Sequence, residues 1–505
     1  MGHSRLRAIT CVFRLARLAA LTITLFLSAG FRPASAGLDL FTVGGQPVTV
    51  SATLRSREEV WNFFGPGEVS NGQDDNRYNF LGGFLRMGVG YQHSGVGLFT
   101  EMMAPYLVNL PDNSIAPAPQ GLLGLGANYY QPNQVSNTAD AFLKQGFLVF
   151  GRDLLHGLEL KGGRFEFFDG QELMPDEPQL RWLVDNRIAQ RLVANFGFSD
   201  VERSFDGAEA SYRSGPWQFT AMYGVPTKGV FYVQGMDEIR DMDLAYASLN
   251  VGPNPHWGNS LGRIFYIYYH DGRGLAPVDN RPTNVSNADR RGIEIHSVLA
   301  DYAGVFALGP GAIDLLVWGG GQLGAWGRLK QESWAAVGEA GYRFNSAPWQ
   351  PWLRAGYTVT SGDSNPNDST HQTFFQILPT PRIYAMFPFY NMMNLNDLMG
   401  QVILAPAPGV ELSPSIHGLW LSASRDLWYA GGGAFNNSLF GYTGRPADSR
   451  NNIATLLDCQ LKWIVNDHLA ATFYYGHAFG GGVVSANFPG GKEADFGFVE
   501  MVFSL

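Results

Sequence analysis

Cysteine is nearly missing from this chain. Only Cys11 and Cys459 occur, and Cys11 lies in an N-terminal stretch that is expected to be removed. No internal disulfide is then possible, which excludes the small secreted folds held by disulfide frameworks. Long apolar runs are missing too. Beyond residue 36 no stretch of about 18 residues is continuously apolar and uncharged, so membrane-spanning helices are excluded. Charge is scarce, at 16% of residues, and the basic excess needed to neutralise nucleic-acid phosphates is absent: 35 Lys and Arg face 44 Asp and Glu. There are no domain linkers, low-complexity tracts or heptads.

The N-terminus has its own pattern. Arg5, Arg7, Arg14 and Arg17 precede the apolar LAALTITLFLSAGF (18–31), and Ala34-Ser35-Ala36 supplies an A-x-A site. This predicts a signal peptide over 1–36 and one mature domain over 37–505. Cleavage removes five arginines and no acids, leaving 30 basic against 44 acidic residues and a net charge of −14.

What is abundant is glycine, with 62 residues, and aromatics, at 13%. Segments of about ten residues alternate with period two between turn residues. Val48, Val50, Ala52 and Leu54 oppose Thr49, Ser51, Thr53, Arg55 and Arg57. Leu85, Met87, Val89 and Tyr91 oppose Arg86, Gly88, Gly90 and Gln92; Leu353, Ala355, Tyr357 and Val359 oppose Arg354, Gly356 and Thr358. A soluble sandwich would fill its polar face with Lys, Glu and Asp, whereas here it is Gly, Ser, Thr, Gln and occasional Arg. Apolar faces edged by aromatics, opposite a polar lining, are the pattern of an outer-membrane barrel. Closure removes the unpaired edges that hydrocarbon does not tolerate. At the C-terminus, Val499, Met501, Phe503 and Leu505 share one face of a last strand.

The expected fold is therefore all-β: one transmembrane antiparallel barrel of about 18 strands, with 16 as the alternative, and long loops partly folded over or into the lumen. In LELKGGRFEFF (158–168), Leu158 and Leu160 are expected on the lipid side and Glu159 and Lys161 in the lumen. Gly162-Gly163 is read as a bulge that resets the register, sending Phe165 and Phe167 to lipid and keeping Arg164 and Glu166 inside.

KGGRFEFFDG (161–170) followed by RSFDGAEASY (203–212) resembles the paired motifs of the bacterial alginate export family. LRSREE (54–59), YIYYHDGRG (266–274) and TFFQILPTPRIYAMFPFYNMMNLND (373–397) are similar to it as well. The resemblance implies a monomeric outer-membrane barrel whose arginine-rich constriction passes an acidic polysaccharide, with a periplasmic scaffold protein as partner and no cofactor. Guanidinium suits such cargo: it stays ionised and gives bidentate hydrogen bonds to carboxylates.

By strand parity the expected pore-lining cations are Arg55, Arg57, Arg86, Lys161, Arg164, Arg203, Arg343 and Arg354. Arg187, Arg191, Arg263, Arg382, Arg425 and Arg445 are secondary candidates. Glu101, Glu166, Glu209 and Glu339 are the expected pore carboxylates that hold them. Each cation has a second reading, as a brace across the wall or to an inward loop. The stretch 361–400 reads either as a plug or as a loop packed on its neighbours.

Enzyme signatures dissolve on inspection. Gly319, Gly321 and Gly324 satisfy G-x-G-x-x-G without the following helix or ribose-binding acid. GDSN (362–365) has no matching base, DSNPND (363–368) lacks the glycine of a calcium loop, and the ten histidines show no metal spacing. A conduit for an acidic polysaccharide is the leading reading, a diffusion porin the second, and an outer-membrane hydrolase or adhesin the third.

Overall fold

The computed structural model describes residues 38–505, apart from 68–74, 152–153, 155, 254–258 and 382–383. The expected signal peptide and Arg382 lie outside the described residues. Eighteen strands wind once around and close on themselves: β1 (Gln46–Asn62), β2 (Arg77–His93), β3 (Val96–Val108), β4 (Phe142–Phe150), β5 (Leu158–Phe165), β6 (Phe205–Ser214), β7 (Trp217–Pro226), β8 (Met242–Val251), β9 (Asn259–Asp271), β10 (Ile293–Leu308), β11 (Gly311–Trp326), β12 (Leu329–Arg343), β13 (Trp352–Thr360), β14 (Asn396–Ala407), β15 (Val410–Trp420), β16 (Asn452–Asn466), β17 (Leu469–Gly480) and β18 (Glu493–Ser504). Every neighbouring pair is antiparallel, and β1 pairs with β18 from Thr53↔Ser504 to Asn62↔Asp495, which seals the cylinder. A short strand, Leu38–Val43, extends the sheet beside β1.

Connections at one end are short. Ser94-Gly95 makes a two-residue hairpin with φ of 49° and 80°, the left-handed pair such a turn requires. At the other end, loops of up to 39 residues (166–204) occur, with 109–141, 361–395 and 421–451 also long. Short turns mark the periplasmic end and long loops the extracellular end.

The alternation separates two solvents. Met87, Leu98, Ile264, Val298, Val317 and Leu398 point outward and are each about half exposed. Toward the turns the outward face carries Tyr212, Trp217 and Trp463, and toward the loops Tyr223, Trp334 and Tyr357, which form two aromatic girdles.

The expected bulge at Gly162-Gly163 is not there. Pairing of β5 with β6 runs unbroken from Leu158↔Tyr212 to Phe165↔Phe205. Parity therefore continues: Lys161 and Phe165 share the inner face, with the Lys161 amine 4.5 Å from the Phe165 ring centre. Phe167 also lies inside, against Tyr246. Arg164 falls on the outer face near the loop end, paired with Asp206 at 2.5 Å and covered by Met236. Gly163 serves a close approach instead: it sits at φ 127°, and a Cβ there would lie 2.4 Å from the Gly146 carbonyl oxygen. The register shift occurs on the neighbouring strand, between Glu101 and Met102 of β3 against β4, and turns both Lys144 and Gln145 inward.

Candidate functional site

Loop 166–204 turns into the barrel and crosses it. Its middle is built for that path. Glu177 caps helix α1 (Pro178–Leu183), accepting from the Gln179 and Leu180 amides, and Pro178 occupies the first helical turn. A π-helical turn, Val184–Ile188, follows directly.

The wall holds this loop by ion pairs. Arg55 binds Asp200 at 3.0 Å and donates to the Gly197 and Ser199 carbonyls. Arg57 donates to the Phe198 carbonyl at 2.7 Å and lies between Glu59, Asp200 and Glu500, with its guanidinium 4.4 Å from the Phe198 ring centre. Arg86 bridges Glu101 of the wall (2.5 Å) to Glu166 (2.8 Å) and Glu202 (3.0 Å) of the loop, and Lys144 joins the same two loop carboxylates. Arg263 pairs with Asp301 at 2.6 Å and approaches Asp169 and Glu172. On the far wall, Glu339 takes Arg187 of the loop at 2.6 Å and Arg354 at 2.8 Å, while Asp314 takes Arg354 at 2.6 Å and the Gln179 amide at 3.2 Å.

The structure thus brings Arg55, Arg57, Arg86, Arg354, Glu101, Glu166 and Glu339 together around this loop. Lys161 and Glu209 pair with each other at 2.7 Å lower on the wall. Arg343 sits at the periplasmic turn, bonded to Gln350. Lys144, Asp200 and Glu202, which parity did not single out, are central. Lys144 is hidden from parity because it lies at the register shift, and the two acids lie in a loop with no periodicity to read.

Three buried guanidiniums differ from these: each lacks a carboxylate within 4 Å among the described residues. Arg203 donates to the Ala434 carbonyl at 2.9 Å and the Gly432 carbonyl at 3.1 Å. Arg191 donates to the Arg187 carbonyl and lies 5.1 Å from the Trp318 ring centre. Arg445 donates to the carbonyls of Gln120 and Leu122, both at 2.9 Å, 4.8 Å from the Trp428 ring centre. Arg191 Nε, Arg203 Nε and Arg445 Nη1 find no hydrogen-bond partner among the described residues. Burial pulls each side chain down to about 10, still well above neutral pH, so all three remain charged.

The extracellular half of the lumen is filled by loops 361–395 and 421–451. Phe387, Phe389 and Trp428 pack with Trp61, Phe64, Phe488 and Phe496 in an aromatic cluster. Loop 361–395 is thereby placed inside the barrel as a plug. Next to Arg445 the loops leave a cavity of about 110 Å³. On the β14–β18 side a cavity of about 150 Å³ remains, lined by Arg187, Lys462, Asp185, Glu411, Asp458 and Glu500 among others.

A family model described as alginate export matches residues 120–496. A search of curated proteins found no relative. Among solved structures the fold is similar to Acinetobacter baumannii OccAB2 (TM-score 0.55, 9% identity, covering 91% of this chain and 98% of that one). It is also similar to Pseudomonas aeruginosa OccK9, OpdG (TM-score 0.53, 12% identity, 91% and 98%), and to OccK11, OpdR (TM-score 0.50, 12% identity, 94% and 99%). At these identities the likeness is one of fold.

Proposed function

The chain belongs to the alginate export family of outer-membrane barrels, and on that premise we propose that it is a conduit exporting an acidic polysaccharide of the alginate type. The observation that supports this cargo is the set of buried guanidiniums, Arg191, Arg203 and Arg445, with no carboxylate within 4 Å among the described residues. A polyuronate brings one carboxylate per sugar, and each can exchange its hydration for a bidentate guanidinium contact. Several such contacts in series hold the polymer without trapping it. The wall arginines Arg55, Arg57, Arg86 and Arg354 already have carboxylate partners, so their role in this reading is to brace loop 166–204. Passage requires loops 361–395 and 421–451 to part, and a polymer favours that state only through contacts it makes there and not in the closed one.

Nothing in this route uses nucleotide; the drive comes from synthesis behind the barrel. A periplasmic scaffold, and a monomeric barrel, are expected from the family resemblance alone. One feature favours a second reading, a diffusion channel: four carboxylates, Asp185, Glu411, Asp458 and Glu500, line the lumenal cavity against Arg187 and Lys462. Planar-bilayer recording separates the two. The export reading expects anion preference and block by a polyuronate but not by a neutral glucan of equal length. Cation preference without polyuronate block would overturn it.

A further inference from the structure

The loop-end rim of β10–β12 carries a charge pattern that the conduit does not use. At the loop end of these three adjacent strands, Arg290, Arg291, Arg328 and Lys330 are all exposed. Two of them sit around one anchor: buried Asp289 accepts the backbone amides of Arg291 at 3.2 Å and Arg328 at 2.8 Å, which fixes where both residues leave the rim. That carboxylate is already engaged by Arg281 at 3.0 Å, and the Arg328 guanidinium, 64% exposed, stays 3.9 Å away. Lys330 is 66% exposed and pairs with Glu332. Arg290 and Arg291 have no ion pair among the described residues.

The pairings Glu294↔Ala325 and Ala325↔Lys330 put the patch across three strand ends, about 10 Å wide at the ordinary strand spacing. Counting the anchor and its partner, three carboxylates, Asp289, Glu294 and Glu332, lie among five cations, Arg281, Arg290, Arg291, Arg328 and Lys330, so the rim is locally basic on a chain whose formal charge is −9.

Below the charges the outward side chains change in order. On β12, Lys330 and Glu332 give way to exposed Trp334. On β9 and β10, His270 and His296 give way to Tyr266 and then to exposed Ile264 and Val298. A cationic ledge above an aromatic girdle and an apolar wall marks where the outer leaflet's headgroups meet the barrel. A soluble anion would have no use for the apolar wall, and the exported polymer travels on the other side of the sheet.

We propose that this ledge docks a phosphorylated glycolipid of the outer leaflet, with Arg290, Arg291, Arg328 and Lys330 on its phosphates and its acyl chains along Trp334, Leu323 and Val298. The proposal rests on the barrel and its orientation and not on the cargo.

The test uses the full-length barrel purified in detergent and titrated with bisphosphorylated lipid A, dephosphorylated lipid A or inorganic phosphate, followed by native mass spectrometry. Replacing all four residues by Ser is expected to weaken lipid A binding at least tenfold. A control with Arg213, Arg240, Arg450 and Lys492 changed to Ser, all exposed elsewhere, should bind as the unmodified barrel does. Dephosphorylated lipid A should bind both proteins equally weakly. Unchanged lipid A affinity in the four-residue variant would overturn the proposal. So would inorganic phosphate displacing lipid A at equal concentration, which would assign the ledge to a soluble anion.

Discussion

At the scale of single residues, the inward arginines divide by what they touch. Arg86 neutralises Glu101, Glu166 and Glu202 in one cluster with Lys144. Arg86→Met leaves three carboxylates facing one amine, and breaking a buried ionic cluster from one side costs about 3–5 kcal/mol. Urea denaturation of the refolded barrel should show that loss, with loop 166–204 becoming protease-sensitive; an unchanged midpoint and an intact loop would contradict the bracing role. Arg203→Met is expected to behave oppositely. It removes a buried charge without a carboxylate partner, so stability should stay level or rise. A drop of more than about 2 kcal/mol would show that its two carbonyl contacts matter more than its desolvation. The sequence revealed half of this division. Period-two alternation placed Arg55, Arg57, Arg86 and Arg354 inside the barrel, because that pattern is local. Their loop partners Asp200 and Glu202, and Arg187, which shares Glu339 with Arg354, lie far along the chain in a loop without periodicity. Arg164 was misplaced because glycine was read as a bulge when it marks a close backbone approach.

At the scale of elements, loops decide what the barrel leaves open, and their contacts can be tested separately from the wall. Asp426 ties loop 421–451 to loop 361–395: it accepts from the Thr373 hydroxyl and the Asp363 amide on one loop, and from the Leu427 amide and Tyr429 hydroxyl on its own. Burial pushes its carboxyl up to about 7. The folded contact therefore takes up a proton that the open loop, near about 3.9, releases. The contact is strongest at acid pH, weakens as pH rises from about 4 to 7, and is level above that. Amide protection of 373–376 and 427–429, corrected for intrinsic exchange, should be higher at pH 5 than at pH 8; equal protection would contradict the assignment. The strands answer to lipid. Val317 is 55% exposed near the middle of β11, and Val317→Arg should cost about 2–4 kcal/mol in lipid, read from refolding into vesicles. The aromatic and Met content of 373–395 signalled a buried segment, but plug and packed loop have the same composition, so only its placement against Trp61 and Phe496 separates them.

For the whole molecule, an outer-membrane barrel was legible because two solvents impose one alternation on every strand, and chain length divided by strand-plus-loop length gave the count of 18. Which charges remain free for cargo was not legible, since that depends on how loop 166–204 fills the lumen. In the export reading the acidic polymer passes by contacts with Arg191, Arg203 and Arg445, the buried guanidiniums with no carboxylate within 4 Å among the described residues. Single-channel recording of polyuronate block tests it most directly, comparing the unmodified barrel with the Arg191→Met, Arg203→Met, Arg445→Met triple variant. The concentration for half-block should be raised at least about tenfold in the variant, one lost charge-assisted contact being worth about 1.5–3 kcal/mol. Equal block in both proteins, or no block in either, would contradict it.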